Sequence, residues 1–308
     1  MVRCQLLAVL ALLSTAWAQP SSLAARVTTA IQDIATAKAA QYQCGFAIAV
    51  HAPNFTANAA AGDADIAAKL PLTPNSAFVW GSVTKLTTGV AILRLANAGA
   101  FSLDDAVAPL VDDYIASSVA AAAAAPGGTI YNFSSLADLF GDAAAHITVR
   151  QLATMRSGVP DYDTAKPNEQ NRSLSTDPFR ATAYAHADKD YAPLDMLAVP
   201  WVHKGELDFA PGTDQDYSST NFLLLGIVLA AHATTPDWRH FDQGSFRPKA
   251  LMARGFMNHT TYAATGAPSH FTATRGYDRT SYNGHDPDAM PGTDVGGALP
   301  PYFLARSR

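Results

Sequence analysis

Phe78-Val79-Trp80-Gly81-Ser82-Val83-Thr84-Lys85 runs directly into Leu86-Thr87-Thr88-Gly89-Val90-Ala91-Ile92-Leu93-Arg94-Leu95-Ala96-Asn97-Ala98. The second segment predicts a helix over Ser82 to Ala98. Arg94 is its only charge past the first turn, and Gly99 stands at its C-terminal end. A helix apolar all round is normally buried in the centre of a domain. Ser82 at its start and Lys85 three residues on share one helix face. A helix N-terminus also offers unsatisfied N–H groups and positive dipole charge, which favour a developing oxyanion. Ser82 is therefore a candidate nucleophile with an amine beside it. The plainer reading makes Ser82 an N-cap and Lys85 a solvated first-turn residue. Against it, Val83, Leu86 and Val90 flank Lys85 and would take its ammonium partly out of water. A Ser-x-x-Lys alone is weak, since average composition produces one by accident every few hundred residues or so.

A second stretch adds to it. In Phe209-Ala210-Pro211-Gly212-Thr213-Asp214-Gln215-Asp216-Tyr217-Ser218-Ser219-Thr220-Asn221-Phe222-Leu223-Leu224-Leu225-Gly226 a turn at Pro211-Gly212 precedes a second buried helix, predicted over Ser219 to Ala231. Tyr217 stands just before that helix, with Ser219 and Asn221 in its first turn. A phenol near an ammonium is pushed toward phenolate, which can accept a serine proton. Alone, Tyr217 reads more often as a half-buried packing tyrosine.

Elsewhere Val27 to Ala40 predicts a first helix, Cys44 to His51 a strand and Phe55 to Ala61 another. Ala120 to Ala125 reads as a helix end before Pro126-Gly127-Gly128. Ile147 to Met155 is a short helix and Ser157 to Asp161 a loop. Gly296 to Pro301 carries no recognisable element. The first eighteen residues read as a secretory signal: Arg3, an apolar core from Leu6 to Leu13, and the cleavage site Ala16-Trp17-Ala18. That apolar core, like Phe222 to Ala231, is too short to span a bilayer. Cys4 leaves with the signal, so Cys44 has no intramolecular partner and reads as an inert core thiol. Sequons at Asn54, Asn132, Asn171 and Asn258 agree with export. These observations predict a secreted protein.

Together the two segments resemble the serine β-lactamase and penicillin-binding-protein superfamily, nearest its branch of class C β-lactamases, DD-peptidases, esterases and eukaryotic β-lactamase-like proteins. Three further stretches agree in order and spacing. Leu72-Thr73-Pro74-Asn75-Ser76-Ala77-Phe78 resembles the family's approach to the nucleophile. Ile147-Thr148-Val149-Arg150-Gln151-Leu152-Ala153-Thr154-Met155-Arg156-Ser157-Gly158-Val159-Pro160-Asp161-Tyr162 resembles its helix and Ser-Gly-Leu-Pro loop. Lys249 to Thr260 resembles its Pro-Leu-Gly-Met-x-x-Thr segment.

The resemblance implies an α/β (α+β) fold, with an antiparallel sheet flanked by helices and an all-helical subdomain, formed by residues 19–308. It implies Ser82 as acylated nucleophile, Lys85 as base or proton relay and Tyr217 as proton shuttle. The family's Tyr-x-Asn becomes Tyr217-Ser218-Ser219, so Ser219 replaces the asparagine that orients the substrate amide, with shorter reach. Asn221 is the second candidate substrate contact. The implied reaction is acyl transfer from an amide, lactam or ester carbonyl, on a small-molecule or peptide substrate, with no cofactor and no metal.

One family feature is missing. No Lys/His-x-Gly triplet follows in a plausible strand: in Gly284-His285-Asp286-Pro287 the glycine precedes the histidine, and Pro287 cannot donate to a ladder. The family's C-terminal strands are expected to be missing and the domain incomplete at its C-terminus. The strand from Cys44 would then keep an unpaired edge, and the helix from Ser82 would lose cover and expose apolar surface. Losing one oxyanion donor costs about 10²–10³ in rate. The rival reading is accordingly a catalytically inactive or truncated scaffold with a binding role or none.

Other chemistries fare poorly. No Gly-x-Ser-x-Gly is present, disfavouring an α/β-hydrolase. The nine histidines form no His-Glu-x-x-His or paired-ligand spacing. There is no glycine-rich phosphate loop. A net charge of −5 without a basic run points away from nucleic acid and anionic membranes.

Overall fold

The computed structural model of the chain describes residues 22–79, 81–163, 191–235, 241–242, 260–262, 274, 276–278, 293–296 and 305–307. The signal segment, Asn171, Asn258, the Lys249–Asn258 stretch and Gly284–Pro287 lie outside them. The chain divides into two compact units, Met1–Ser76 and Ala77–Arg308.

In the first unit Ser22 caps helix α1, Leu23–Tyr42, its side chain accepting the Ala25 amide. The helix extends beyond the predicted Val27–Ala40 at both ends. Its buried positions Ile31, Ala35 and Ala39 recur every four residues, so they form one stripe. The stripe packs on strands β1, Phe46–Ala52, and β2, Phe55–Ala61, through Ala57, Ala59, Ile48, Val50 and Phe55. Small alanines on the sheet let the helix approach closely. The strands pair antiparallel from Phe46↔Ala61 to Ala52↔Phe55, which leaves Pro53-Asn54 as the turn. Among the described residues this sheet has two strands, so β1 keeps an open edge. Cys44 precedes the strand and is only half-buried rather than in the core. Two short strands, β3 (Asp63–Asp65) and β4 (Leu70–Pro71), pair next.

The second unit opens with β5, Phe78–Val79, then a 3-10 turn over Gly81–Thr84 and helix α2, Lys85–Asn97. The predicted helix over Ser82 to Ala98 thus starts one turn late, and Ser82 sits in the tighter turn. It is also less buried than its composition suggests. Ala91 and Ile92 are buried, whereas Val83, Leu86, Val90 and Leu93 are exposed. These four residues, spaced three and four apart, form an apolar stripe open to solvent.

Helix α3, Ala108–Ala124, ends where the alanine run was expected to end it. After α4, Leu136–Phe140, comes α5, Val149–Ala153, opened by a capping box in which Thr148 and Gln151 satisfy each other's backbone amides. The short α6, Pro193–Leu197, precedes α7, Ser219–His232. Helix α7 is the hub of this unit and touches α2, α3, α5 and α6. Leu223, Leu224, Leu225, Ile227, Val228 and Leu229 point all round it, and all are buried. Surrounded helices of this kind need no polar face.

Toward the C-terminus β6 (Thr260–Tyr262), β7 (Gly276–Asp278), β8 (Thr293–Gly296) and β9 (Ala305–Ser307) are short. Strand β9 lies between β5 and β6, and β7 pairs with β8. Strand β9 thus lies beside the segment that leads to Ser82. No described helix is long and apolar enough to cross a membrane.

Candidate active site

Three of the predicted residues converge in the second unit. The Ser82 hydroxyl and the Tyr217 phenol lie 2.8 Å apart, across 135 residues of chain. Lys85 Nζ donates to Ser82 Oγ at 3.1 Å and to Ser219 Oγ at 3.4 Å. The same ammonium stands 5.1 Å from the centre of the Tyr217 ring and 6.0 Å from that of Phe222, within cation–π range of both. Ser82 is exposed and Tyr217 is 54% exposed, so the hydroxyl–phenol pair faces solvent, while Lys85 is half-buried beneath it.

The electrostatics favour proton transfer. Burial by itself would raise the Tyr217 phenol. Hydrogen bonds from Lys85 and Ser82, the Lys85 charge and a bond to Ser219 outweigh it, and hold the phenol below the ordinary tyrosine value. A phenol so lowered gives up its proton more readily and can take one from a neighbouring hydroxyl.

Ser219, expected as a substrate contact, reaches the lysine. Asn221 is placed differently. It is 1% exposed, and its amide is committed within the protein: Oδ1 accepts from Ser157 Oγ at 2.6 Å, and Nδ2 donates to the Ser218 carbonyl at 3.0 Å and to Met155 Sδ at 3.4 Å. Asn221 thus joins the loop after α5 to the start of α7.

That joint is extensive. The Asp216 amide donates to the Met155 carbonyl, the Gly212 amide to Arg156, and the Asp208 amide to Gly158. Arg156 Nη2 returns a bond to the Gly212 carbonyl at 2.6 Å. Thr220 Oγ1 donates to the Pro160 carbonyl at 2.7 Å and accepts from the Tyr162 amide at 3.0 Å. Gly158 sits at φ +81°, and a side chain there would run into the Phe209 carbonyl. Residues 155–163 and 208–221 are in effect zipped together, and Tyr217 is carried on the zipped segment.

Asp161, to which the sequence assigned no role, lies in this seam. It is 8% exposed, and its Oδ1 accepts the Ser219 amide at 2.9 Å and the Asp163 amide at 3.2 Å. Burial, reinforced by the neighbouring Asp163 charge, pushes its carboxyl up to about 6 despite those two amides and the Lys85 charge. Nothing local in the sequence marks it, because its partner is 58 residues away. Among the described residues no group of three or more His, Cys, Asp or Glu side chains could hold a metal ion.

Comparison with known proteins bears on the family and the fold. The family model described as Beta-lactamase matches residues 6–298. Protein flp of Staphylococcus aureus is 24% identical over 217 residues, covering 70% of this chain. The chain spans about a third of the length of that relative, 34%. Among solved structures, the D-amino acid amidase from Ochrobactrum anthropi SV3 complexed with D-phenylalanine superposes with a TM-score of 0.59 at 22% identity, over 91% of this chain and 66% of that one. A D-stereospecific amidohydrolase from Streptomyces sp. gives 0.57 at 21% identity over 90% and 68%. The penicillin binding protein from Bacillus halodurans gives 0.55 at 20% over 87% and 68%. At these identities the likeness speaks for the fold.

Proposed function

The chain belongs to the Beta-lactamase family, and from that premise we propose that it is a serine hydrolase working through an acyl-enzyme on Ser82. The observation that carries the reading is the 2.8 Å contact between the Ser82 hydroxyl and a phenol whose proton is loosened by Lys85. As phenolate, Tyr217 accepts the Ser82 proton while Oγ attacks the carbonyl carbon. The tetrahedral adduct collapses as Tyr217 returns that proton to the departing amine or alkoxide, leaving Ser82 acylated. A water then gives a proton to Tyr217, attacks the ester and frees the acid, and the proton goes back to Ser82. Lys85 holds Ser82 Oγ and favours the phenolate. Ser219 fixes Lys85 from the other side. Asn221 contributes through the seam it closes rather than by touching substrate.

The substrate class is an amide, lactam or ester small enough to reach an exposed serine. The amidase and amidohydrolase that share the fold make an amino-acid amide the first compound to try. A fluorophosphonate probe should label purified protein at Ser82, read by peptide mass spectrometry. Labelling should vanish in Ser82→Ala and slow at least about a hundredfold in Tyr217→Phe, which keeps the ring but cannot move a proton. Folded wild-type protein that stays unlabelled would rule out this mechanism. That result would favour the second reading, an inert scaffold, for which the exposed apolar stripe of α2 beside Ser82 is the specific observation.

A further inference from the structure

Helix α7 begins without the cap its sequence offers. Ser218 occupies the N-cap position, yet its side chain makes no capping bond, and its buried Oγ has no hydrogen-bond partner among the described residues. The first amide of the helix, that of Ser219, is instead satisfied by Asp161, reaching across from the loop after α5. A carboxylate at a helix N-terminus also meets the positive end of the dipole. Trp201 Nε1 donates to the Asp161 main-chain carbonyl at 3.0 Å and steadies the loop from a third direction. The residue so capped touches the reaction centre, since Ser219 Oγ receives Lys85, and Tyr217 lies two positions before it.

We propose that Asp161 is a positioning residue for the Ser82 chemistry: its carboxylate caps α7 from outside the helix and so holds Ser219 against Lys85 and Tyr217 over Ser82. This rests on the acyl-enzyme reading above. The charges acting on Asp161 are Asp163 from its own loop and Lys85 from α2, and α7 adds its N-terminal dipole. An ionised Asp161 binds the Ser219 amide more strongly than a neutral acid does. Its charge also acts on Lys85, whose hydrogen bond and charge favour the Tyr217 phenolate. Acylation should therefore quicken as the pH rises through about 6, where this carboxyl titrates.

The experiment measures the rate of fluorophosphonate labelling from pH 4.5 to 8.5 in wild type, Asp161→Asn and Asp161→Ala, with Ser82→Ala as blank and circular dichroism to confirm folding. Asp161→Ala, which removes the cap, should label about tenfold to a hundredfold more slowly, the scale expected for sub-ångström to ångström misplacement. Asp161→Asn retains an acceptor for the Ser219 amide. Being uncharged, it should label across the range at about the rate of the protonated wild type, and so lose the rise near pH 6. A merely structural aspartate would leave no such step in the wild-type profile. If Asp161→Ala does not fold, the comparison of Asp161→Asn with wild type decides alone. Wild-type rates in Asp161→Ala, or a step near pH 6 that persists in Asp161→Asn, overturn the assignment while sparing the acyl-enzyme. Absence of labelling in folded wild type overturns both.

Discussion

Ser82 and Lys85 are three residues apart and meet through local geometry alone, whereas Asp161 acquires its role only when chain 58 residues distant closes on it. The burial that raises the Asp161 carboxyl to about 6 has a cost in stability. A carboxyl whose folded value exceeds its unfolded value of 3.8 holds its proton more tightly in the native state. Stability is then greatest below about 3.8 and declines as the pH rises to about 6, by roughly 2–3 kcal/mol in all. Asp161→Asn should escape that decline. Calorimetric melting of the two proteins at pH 4, 5, 6 and 7 should show the variant gaining on wild type across this window. A constant difference would mean that the carboxyl is not held neutral. The residue-level pattern Ser-x-x-Lys was legible because helical spacing is set by the backbone. Tyr217 was legible from its place before an apolar run. Asp161 was not, since an acidic loop residue after a proline looks the same whether it faces water or a helix end.

At the scale of elements, α7 was read to within a residue of its end, because an unbroken apolar run with a turn before it has few alternatives. Helix α2 was harder. Its composition says buried, but composition cannot say how much neighbouring chain is at hand to bury it. The seam between residues 155–163 and 208–221 was invisible, because its main-chain bonds carry no side-chain signature and its side-chain bonds join residues far apart in the chain. Its tightest point is Gly158, at φ +81° with the Phe209 carbonyl where a Cβ would go. Gly158→Ala meets both backbone strain and collision, and should destabilise the protein by more than about 2 kcal/mol in urea unfolding. A loss under about 1 kcal/mol would show that the seam yields easily.

For the molecule as a whole, the sequence identified a mixed fold with a helical part and an antiparallel part, and residues 19–308 were read as one domain. The structure divides the chain at Ser76. No sequence signal marks that division: Pro74-Asn75 looks like any other loop, and only the pattern of packing separates the sides. The second unit has a core gathered on α7 and an apolar stripe left outside it, and adjacent residues of α2 should report the difference. Ile92 is 0% exposed and Leu93 55%. Ile92→Ala should cost about 2–4 kcal/mol, whereas Leu93→Gln should stay within about 0.5 kcal/mol of wild type. Comparable losses at the two sites, measured by chemical denaturation, would show that something covers the stripe.

The distance along the chain between serine and phenol, 135 residues, has a practical outcome. On the proposed mechanism, a nascent or partly assembled polypeptide holds the hydroxyl and amine together through local turns, yet has no proton acceptor until the later segment docks. Such a precursor is chemically silent. Covalent capture by an electrophilic probe therefore doubles as a gauge of completed maturation, separating finished molecules from those that have helix content alone.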